Sequence, residues 1–135
     1  MTKGKPVVLV VDDEPLNLAI ISEFLQDNGF EVVCAGNGIS ALESLEQNPT
    51  AYSAVLLDRM MPRMDGLAVL VWIKSHPELC DLPVIIQSAR GSKEDVQEGL
   101  DAGACYYLVK PFNEEQLIAA VKSVVERYQK ARIVN

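Results

Sequence analysis

Five short strand-like runs, each bounded by turn-forming or polar residues, constrain the fold of this chain more than any other feature. They occupy residues 7–11, 31–35, 54–57, 84–86 and 105–109. Short apolar runs rich in β-branched residues are typical of strands buried on both faces. Segments of helical periodicity separate them. The sequence therefore predicts an α/β fold, a doubly wound parallel sheet of five strands flanked by five helices, with right-handed crossovers.

Helix signals occupy the segments between the predicted strands. Pro15 suits a first helical position, Gly29 ends the first helix, and Asn113 caps the last helix. The fourth helix, about residues 93–102, is poorly hydrophobic and contains Gly99, so we expect it to be the least stable. The apolar positions expected to face the core are Leu16, Ile20, Ile21, Phe24 and Leu25, then Ile39, Leu42 and Leu45, then Leu67, Leu70 and Val71, and finally Leu117, Val121, Val124, Val125 and Tyr128.

Composition excludes several classes of function. A length of 135 residues suits one domain, and the net charge of -7 argues against direct nucleic-acid binding. No apolar run approaches the length needed to cross a membrane, so we expect no membrane partner. The cysteines Cys34, Cys80 and Cys105 are far apart and odd in number, which predicts reduced thiols in a cytoplasmic protein.

Four of the five predicted strands end in residues able to take part in chemistry. They are Asp12 and Asp13 after the first strand, Asp58 after the third, Ser88 after the fourth and Lys110 after the fifth. In an open parallel sheet, ligands bind at these carboxyl ends. Three clustered carboxylates repel one another unless they are protonated or bound to a cation, and an all-oxygen ligand set favours Mg²⁺. With an ammonium and a hydroxyl beside it, Asp58 is suited to attack and accept a phosphoryl group.

These motifs, in this order, resemble the receiver domain of two-component response regulators. The resemblance covers about residues 6–128 and implies a flavodoxin-like, chemotaxis-regulator-like fold with strand order 2-1-3-4-5 in a single domain spanning residues 1–135. The matching segments are Asp12-Asp13, Asp58 with Met61-Pro62 and Met64-Asp65-Gly66 behind it, Ser88-Ala89, and Lys110-Pro111-Phe112.

The resemblance also implies roles at the site. Asp58 would be the phosphoacceptor, taking its phosphoryl group from a sensor histidine kinase or a phosphotransfer protein. Asp13, Asp58 and the backbone carbonyl of Met60 would ligate Mg²⁺ directly, and Asp12 would act through a metal-bound water. Lys110 would contact the phosphoryl oxygens.

Ser88 and Tyr107 would form the switch that reports phosphorylation. In the family, the hydroxyl moves to the phosphoryl group, the aromatic turns inward, and the face made by helix four, strand five and helix five changes. That face would control a downstream partner or an attached output, and would also be the surface of a homodimer. Strand alternation places Tyr106 on the opposite side from Tyr107, and the resemblance alone selects Tyr107. We expect a signalling switch rather than a turnover enzyme.

The phosphoryl group is expected to be long-lived. Met60, two residues after Asp58, has no group able to hydrogen-bond an attacking water, and Arg90, two residues after Ser88, would shield the site. The common phosphatase pattern wants a second aspartate at the position of Met60, so efficient turnover is not expected.

Two other interpretations stay open at this point. The Gly36-x-Gly38 loop, between a strand and a helix, matches a dinucleotide-binding fingerprint and would make the chain a nucleotide-binding module. A receiver that acts as a scaffold without phosphorylation is the other. His76, the only histidine, is interpreted as a surface residue without a nucleophile nearby. Residues 129–135, with Ile133 and Val134, would be a C-terminal extension, a truncated linker or a dimer helix, and we favour a stand-alone regulator.

Overall fold

The computed structural model describes residues 4–134, and the side chains as far as residue 130. Its elements alternate along the chain as β1 (Val7–Val11), α1 (Pro15–Asp27), β2 (Glu31–Ala35), α2 (Gly38–Gln47), β3 (Ala54–Asp58), α3 (Gly66–Ser75), β4 (Val84–Ser88), α4 (Lys93–Asp101), β5 (Tyr106–Val109) and α5 (Glu114–Val134). All strand pairs are parallel, in the order β2-β1-β3-β4-β5. The predicted fold class and strand order are confirmed.

The sheet carries a hydrophobic core on each face. Successive strand residues point to opposite faces, so Leu57 and Ile86 pack with α2 and α3, whereas Leu56 and Ile85 pack with α1 and α5. The same alternation continues to the strand ends. It assigns the polar residues there to one face or the other, which decides the composition of the site.

The predicted buried faces of the first three helices are partly wrong. Leu16 is 70% exposed, and Ile20, Ile39 and Val71 are exposed as well. These helices carry apolar residues on more than one side, so periodicity alone does not select the side that meets the sheet. The positions that are buried in the core as predicted are Ile21, Leu25, Leu45, Leu70, Leu117, Val121, Val124 and Val125.

The two strands at the edges of the sheet, β2 and β5, are only partly buried. Glu31, Val33 and Cys34 are exposed in β2, and Tyr106 and Val109 are exposed in β5, so the expectation of five buried strands holds for β1, β3 and β4 alone. β5 begins at Tyr106, one residue later than predicted. α5 continues to Val134, and a dimerisation role for Ile133 and Val134 concerns side chains outside the described residues.

Side chains in the loops cap the N-termini of several helices by accepting hydrogen bonds from the backbone N–H groups of the first turn. Asn37 Oδ1 accepts from Ser40 at 2.8 Å, and Asp65 Oδ1 accepts from Leu67 at 3.0 Å. Asn113 caps α5 in the same way, as predicted from the sequence. Within residues 4–134, no helix is both long and apolar enough to cross a bilayer.

Candidate phosphoacceptor site

The ends of β1, β3 and β5 bring three carboxylates and one ammonium together at the carboxyl edge of the sheet. Each of Asp12, Asp13 and Asp58 offers an oxygen within 4.8 Å of the others. Lys110 Nζ lies 3.6 Å from Asp12 Oδ2 and 3.7 Å from Asp58 Oδ2, so one cation bridges two carboxylates. Lys110 directly follows β5 and joins Pro111 through a cis peptide bond.

Asp12 is the innermost member of this cluster. Its side chain is fully buried, and its Oδ1 accepts a hydrogen bond from the backbone N–H of Glu14 at 2.9 Å. Its Oδ2 accepts from Gln87 Nε2 at 3.4 Å and also faces Lys110. Asp13, by contrast, is exposed at the mouth of the site. The cluster therefore has a fixed carboxylate below and an open one at the solvent side.

Asp58, the third carboxylate, is the last residue of β3. The sequence placed it at the exit of the strand from the core, and its side chain is only 4% exposed. Burial raises its pKa from 3.8 to about 6, and the charges of Asp12 and Asp13 act in the same direction. Lys110 and the hydrogen bond from the backbone N–H of Met60 to Oδ1, at 3.1 Å, oppose that rise. At neutral pH Asp58 is therefore mostly ionised, as a nucleophile must be.

The loop after Asp58 folds back tightly over the strand end. The N–H of Gly66 donates to the carbonyl of Arg59 at 2.9 Å, and a Cβ on Gly66 would collide with the carbonyl oxygen of Asp58. The absence of a side chain at Gly66 thus lets α3 begin directly against the phosphoacceptor candidate. Asp65 and Gly66 serve this turn and the start of the helix, as the sequence indicated.

The donor set fits a hard divalent cation. The three carboxylates supply only oxygen ligands, and Lys110 is the one cation in contact with them among the described residues. Burial raises the pKa of Asp58, and the charges of Asp12 and Asp13 add to that rise, so additional positive charge would stabilise the ionised carboxylate. A bound Mg²⁺ would supply that positive charge.

Ser88 and Tyr107, the predicted switch residues, are both buried and are linked through Arg90. Ser88 Oγ accepts a hydrogen bond from the backbone N–H of Arg90 at 3.0 Å. The Tyr107 hydroxyl donates to the carbonyl of Arg90 at 2.6 Å. Strand alternation places Ser88 on the α4 side of the sheet, and Tyr106 is exposed whereas Tyr107 is not. Among the described residues, Ser88 Oγ thus bonds the N–H of Arg90 and makes no hydrogen bond to the three carboxylates.

The side chain of Met60 is 53% exposed beside the site, whereas that of its neighbour Met61 is buried. The sulfur of Met60 lies 3.9 Å from Nη1 of Arg90. An apolar side chain and an arginine therefore stand together beside Asp58 on the solvent side.

Two polar residues at the site were missed by the sequence analysis. Gln87 is fully buried and contacts Asp12, and its register partner across the β3–β4 ladder is Asp58. Strand alternation could have placed it, because Gln87 and Asp58 face the same side of the sheet. Arg59 is also buried, directly after Asp58. No sequence signal separates a buried arginine at a strand exit from an ordinary loop arginine.

The glycine loop of the nucleotide-binding interpretation has another role. Gly36-x-Gly38 follows the edge strand β2, and a Cβ on Gly38 would lie 2.8 Å from the sulfur of Met64. Gly38 thus allows α2 to pack against the loop after β3. The fingerprint belongs to a first strand at a switch point, a position that β2 does not have.

Comparison with known proteins agrees with this geometry. The profile of the response regulator receiver domain matches residues 8–122. The transcriptional regulatory proteins PrrA of Mycobacterium tuberculosis and SrrA of Staphylococcus aureus are 43% and 33% identical over 122 and 126 residues, which are 90% and 93% of this chain. Those segments are 51% and 50% of the relatives, so the chain spans about half their length.

Solved structures show the same fold. The chemotaxis protein CheY4 of Vibrio cholerae has a TM-score of 0.83 at 31% identity, covering 90% of this chain and 99% of that one. The receiver domain of the Francisella response regulator 1452 has a TM-score of 0.82 at 35% identity, covering 90% and 98%. With its profile match, its curated relatives and its site at the carboxyl edge of a 2-1-3-4-5 sheet, this chain belongs to the response regulator receiver domain family of two-component signalling.

Proposed function

We propose that this receiver domain accepts a phosphoryl group on Asp58, with Mg²⁺ as cofactor, and thereby acts as a signalling switch. The convergence of Asp12, Asp13, Asp58 and Lys110 is the observation that carries the proposal. A buried carboxylate beside an ammonium and two further carboxylates suits nucleophilic attack on a phosphoryl group, and a cap or turn needs no such set.

The proposed reaction uses one oxygen of Asp58 as the nucleophile. That oxygen forms a bond to phosphorus while the bond between phosphorus and the imidazole nitrogen of a phosphohistidine breaks, and the electron pair returns to the ring. The product is an aspartyl phosphate. Lys110, 3.7 Å from Asp58 Oδ2, is placed to neutralise the transferred phosphoryl oxygens.

The proposed Mg²⁺ site uses the residues named from the family resemblance. Asp13, Asp58 and the carbonyl of Met60 would bind the ion directly, and Asp12 would act through a metal-bound water. When bound, the ion would supply positive charge at the transferring phosphoryl oxygens. The burial and fixed hydrogen bonds of Asp12 support its role as the inner support of the site.

The proposed switch begins at Ser88. Its hydroxyl would donate a hydrogen bond to the phosphoryl group and leave the N–H of Arg90, whose carbonyl holds Tyr107. The surface formed by α4, β5 and α5 would change as a result. Tyr106 and Val109 are exposed on β5, and this same surface is our proposed site for a downstream partner, an attached output or a homodimer.

The proposed partners follow from the family. A sensor histidine kinase or a phosphotransfer protein would supply the phosphoryl group. The relatives named as transcriptional regulatory proteins support a transcriptional output, either in a longer chain or through a partner. Direct contact of this domain with nucleic acid is not proposed, given its net charge of -7. The free thiols of Cys34, Cys80 and Cys105 are consistent with action in the cytoplasm.

Beryllofluoride, an analogue of the phosphoryl group, tests this proposal. Added with Mg²⁺, it should shift amide resonances around Ser88 and Tyr107. Asp58→Ala should abolish the shifts, and the control Asp81→Asn, which changes an exposed carboxylate, should keep them. The absence of shifts in the wild type, or their persistence in Asp58→Ala, would overturn the proposal.

A further inference from the structure

Arg59 connects the strand that carries Asp58 to helix α4. Its side chain is 3% exposed. Nη1 donates to the backbone carbonyl of Asp95 at 2.9 Å, and Nη2 forms an ion pair with Glu98. Asp95 and Glu98 lie almost one turn apart in α4. One buried guanidinium thus grips a backbone group and a side chain of the same helix.

The same guanidinium also holds the aromatic side chain of β5. Nη1 of Arg59 donates to the Tyr107 hydroxyl at 3.2 Å, and that hydroxyl donates onward to the carbonyl of Arg90. Since the N–H of Arg90 bonds Ser88 Oγ, a continuous chain of contacts runs from Ser88 through Tyr107 to α4. Arg59 is the member of this chain that is covalently next to Asp58.

The apolar attachment of α4 to the rest of the protein is thin. Within Lys93–Asp101, Gly99 is the only buried residue, and Val96 is partly buried against the core. A helix with so little buried apolar area depends more than its neighbours on polar contacts to hold its position. The hydrogen bond and the ion pair from Arg59 add two polar contacts to this thin apolar attachment.

Hydrogen bonds on both sides of the residue fix the backbone of Arg59. Its N–H donates to the carbonyl of Gln87 at 3.0 Å, and its carbonyl accepts from Gly66 at 2.9 Å. Burying a guanidinium is costly unless it is paired, so its partners cannot separate from it freely. Among the described residues, Nε of Arg59 has no partner, which makes the loss of any remaining contact more costly.

We propose that Arg59 is a positioning residue that makes α4 and Tyr107 move as one unit when the site at Asp58 changes. Without it, Tyr107 would keep its bond to Arg90, but α4 would lose its polar link to both the ring and β3. The coupling to Asp58 rests on the proposed phosphorylation, whereas the grip on α4 is a property of the unmodified protein.

Amide hydrogen exchange measures how much the contacts from Arg59 stabilise α4. In metal-free protein, Arg59→Met should speed exchange in peptides covering residues 93–101 by about tenfold or more, because the hydrogen bond to Asp95, the ion pair to Glu98 and the hydrogen bond to Tyr107 are lost. Peptides from β1 and α1 should not change. Arg90→Met is the matched control, since it removes an exposed arginine that pairs with Asp95 Oδ1 at 3.0 Å in the same helix. Equal exchange in α4 for Arg59→Met, Arg90→Met and wild type would overturn the proposal.

A second variant distinguishes the loss of the Arg59 contacts to α4 from destabilisation of the whole protein. Arg59→Lys keeps the charge but has no planar fork to reach three partners, so it should give intermediate α4 exchange. If Arg59→Met is too unstable for local exchange to be measured, Arg59→Lys alone decides the test. Wild-type exchange in Arg59→Lys would overturn the proposal.

Beryllofluoride with Mg²⁺ tests the coupling. Arg59→Met should still bind the analogue, while its effect on α4 exchange should fall to less than about half of the wild-type effect and shifts at Tyr107 should remain. An undiminished effect on α4 would overturn the coupling. Failure of the wild type to bind the analogue would instead contradict the proposed function. The exchange rates of the metal-free proteins would still show whether Arg59 stabilises α4.

Discussion

Lys110 Nζ lies 3.7 Å from Asp58 Oδ2, the one ion pair that this carboxylate makes among the described residues. The ammonium lowers the pKa of Asp58, but burial outweighs it and leaves that pKa at about 6. The carboxylate is thus ionised at neutral pH and still short of positive charge. A cation and a phosphoryl donor are the two ligands that such an arrangement favours.

The raised pKa of Asp58 predicts a pH-dependent stability in metal-free protein. Because the folded value, about 6, exceeds the ordinary 3.8, the folded state binds this proton more tightly than the unfolded chain. The contribution of this group is full below the ordinary pKa and is lost as the pH rises through the folded one. Asp58→Asn, which cannot ionise there, should therefore be more stable than wild type near pH 7.5, with an advantage that vanishes towards about pH 4.

Urea unfolding in the presence of a chelator measures this difference across the pH range. The exposed variant Asp81→Asn serves as the control and should show no comparable trend. A stability difference between Asp58→Asn and wild type that stays constant, or that grows on acidification, would contradict the assignment of the raised pKa to Asp58.

Removal of the bridging ammonium should strengthen metal binding. Lys110→Met deletes a positive charge that lies 3.6 Å from Asp12 and 3.7 Å from Asp58, and so removes a competitor for the same carboxylates. We expect the affinity for Mg²⁺ to rise by roughly tenfold, measured by calorimetry. Lys122→Met, on the exposed side of α5, should leave it unchanged. Weaker Mg²⁺ binding in Lys110→Met would show that the lysine supports the metal site rather than competing with it.

Gly99 offers a test of packing between α4 and β5. In an open helix, Gly→Ala stabilises, but a Cβ on Gly99 would lie 2.7 Å from the Tyr107 ring, which its hydroxyl holds in place. Gly99→Ala should therefore destabilise the protein by about 1–3 kcal/mol in urea unfolding. In a Tyr107→Ala background the cost should disappear. Gly36→Ala, where nothing lies within 4 Å of the new methyl group, is the control. A stabilised Gly99→Ala would refute the packing account.

The lifetime of the phosphoryl group is predicted from Met60. Its exposed thioether cannot orient an attacking water, and Arg90 stands beside it. Met60→Glu should shorten the lifetime roughly tenfold by supplying a general base, whereas Met60→Leu should preserve it. An intact-mass time course after removal of the phosphodonor gives both values. Decay of the wild-type phosphoprotein within seconds, or no effect of Met60→Glu, would count against this role of Met60.

The strand order and the main site residues could be predicted from the residues at which the strands end. Apolar runs that stop at Asp12, Asp58 and Lys110 leave few arrangements once the sheet is parallel, because their carboxyl ends must share an edge. Burial along the helices was harder to predict. Leu16 and Ile20 continue an apolar pattern around α1 yet are exposed, since the sheet contacts only one side of the helix.

The residues that sequence reasoning missed depend on tertiary contacts. Gln87 contacts Asp12, which is 75 residues away in the chain, and Arg59 contacts Glu98, which is 39 residues away. Strand alternation indicates only the side of the sheet that Gln87 faces, and no local pattern indicates the partner of Arg59. Gly99 is a further example. Helix propensity predicts that a glycine at this position destabilises α4, whereas the structure shows that the absence of a side chain there leaves space for the Tyr107 ring.

Chemical trapping of the phosphoryl group tests the central claim most directly. After incubation with a small acyl phosphate and Mg²⁺, borohydride reduces an aspartyl phosphate to homoserine, and peptide mass spectrometry then locates the modified residue. We predict homoserine at position 58, and none there when the metal is chelated or in Asp58→Asn. Homoserine at another aspartate of the wild type, or at none, would contradict the claim that Asp58 is the phosphoacceptor.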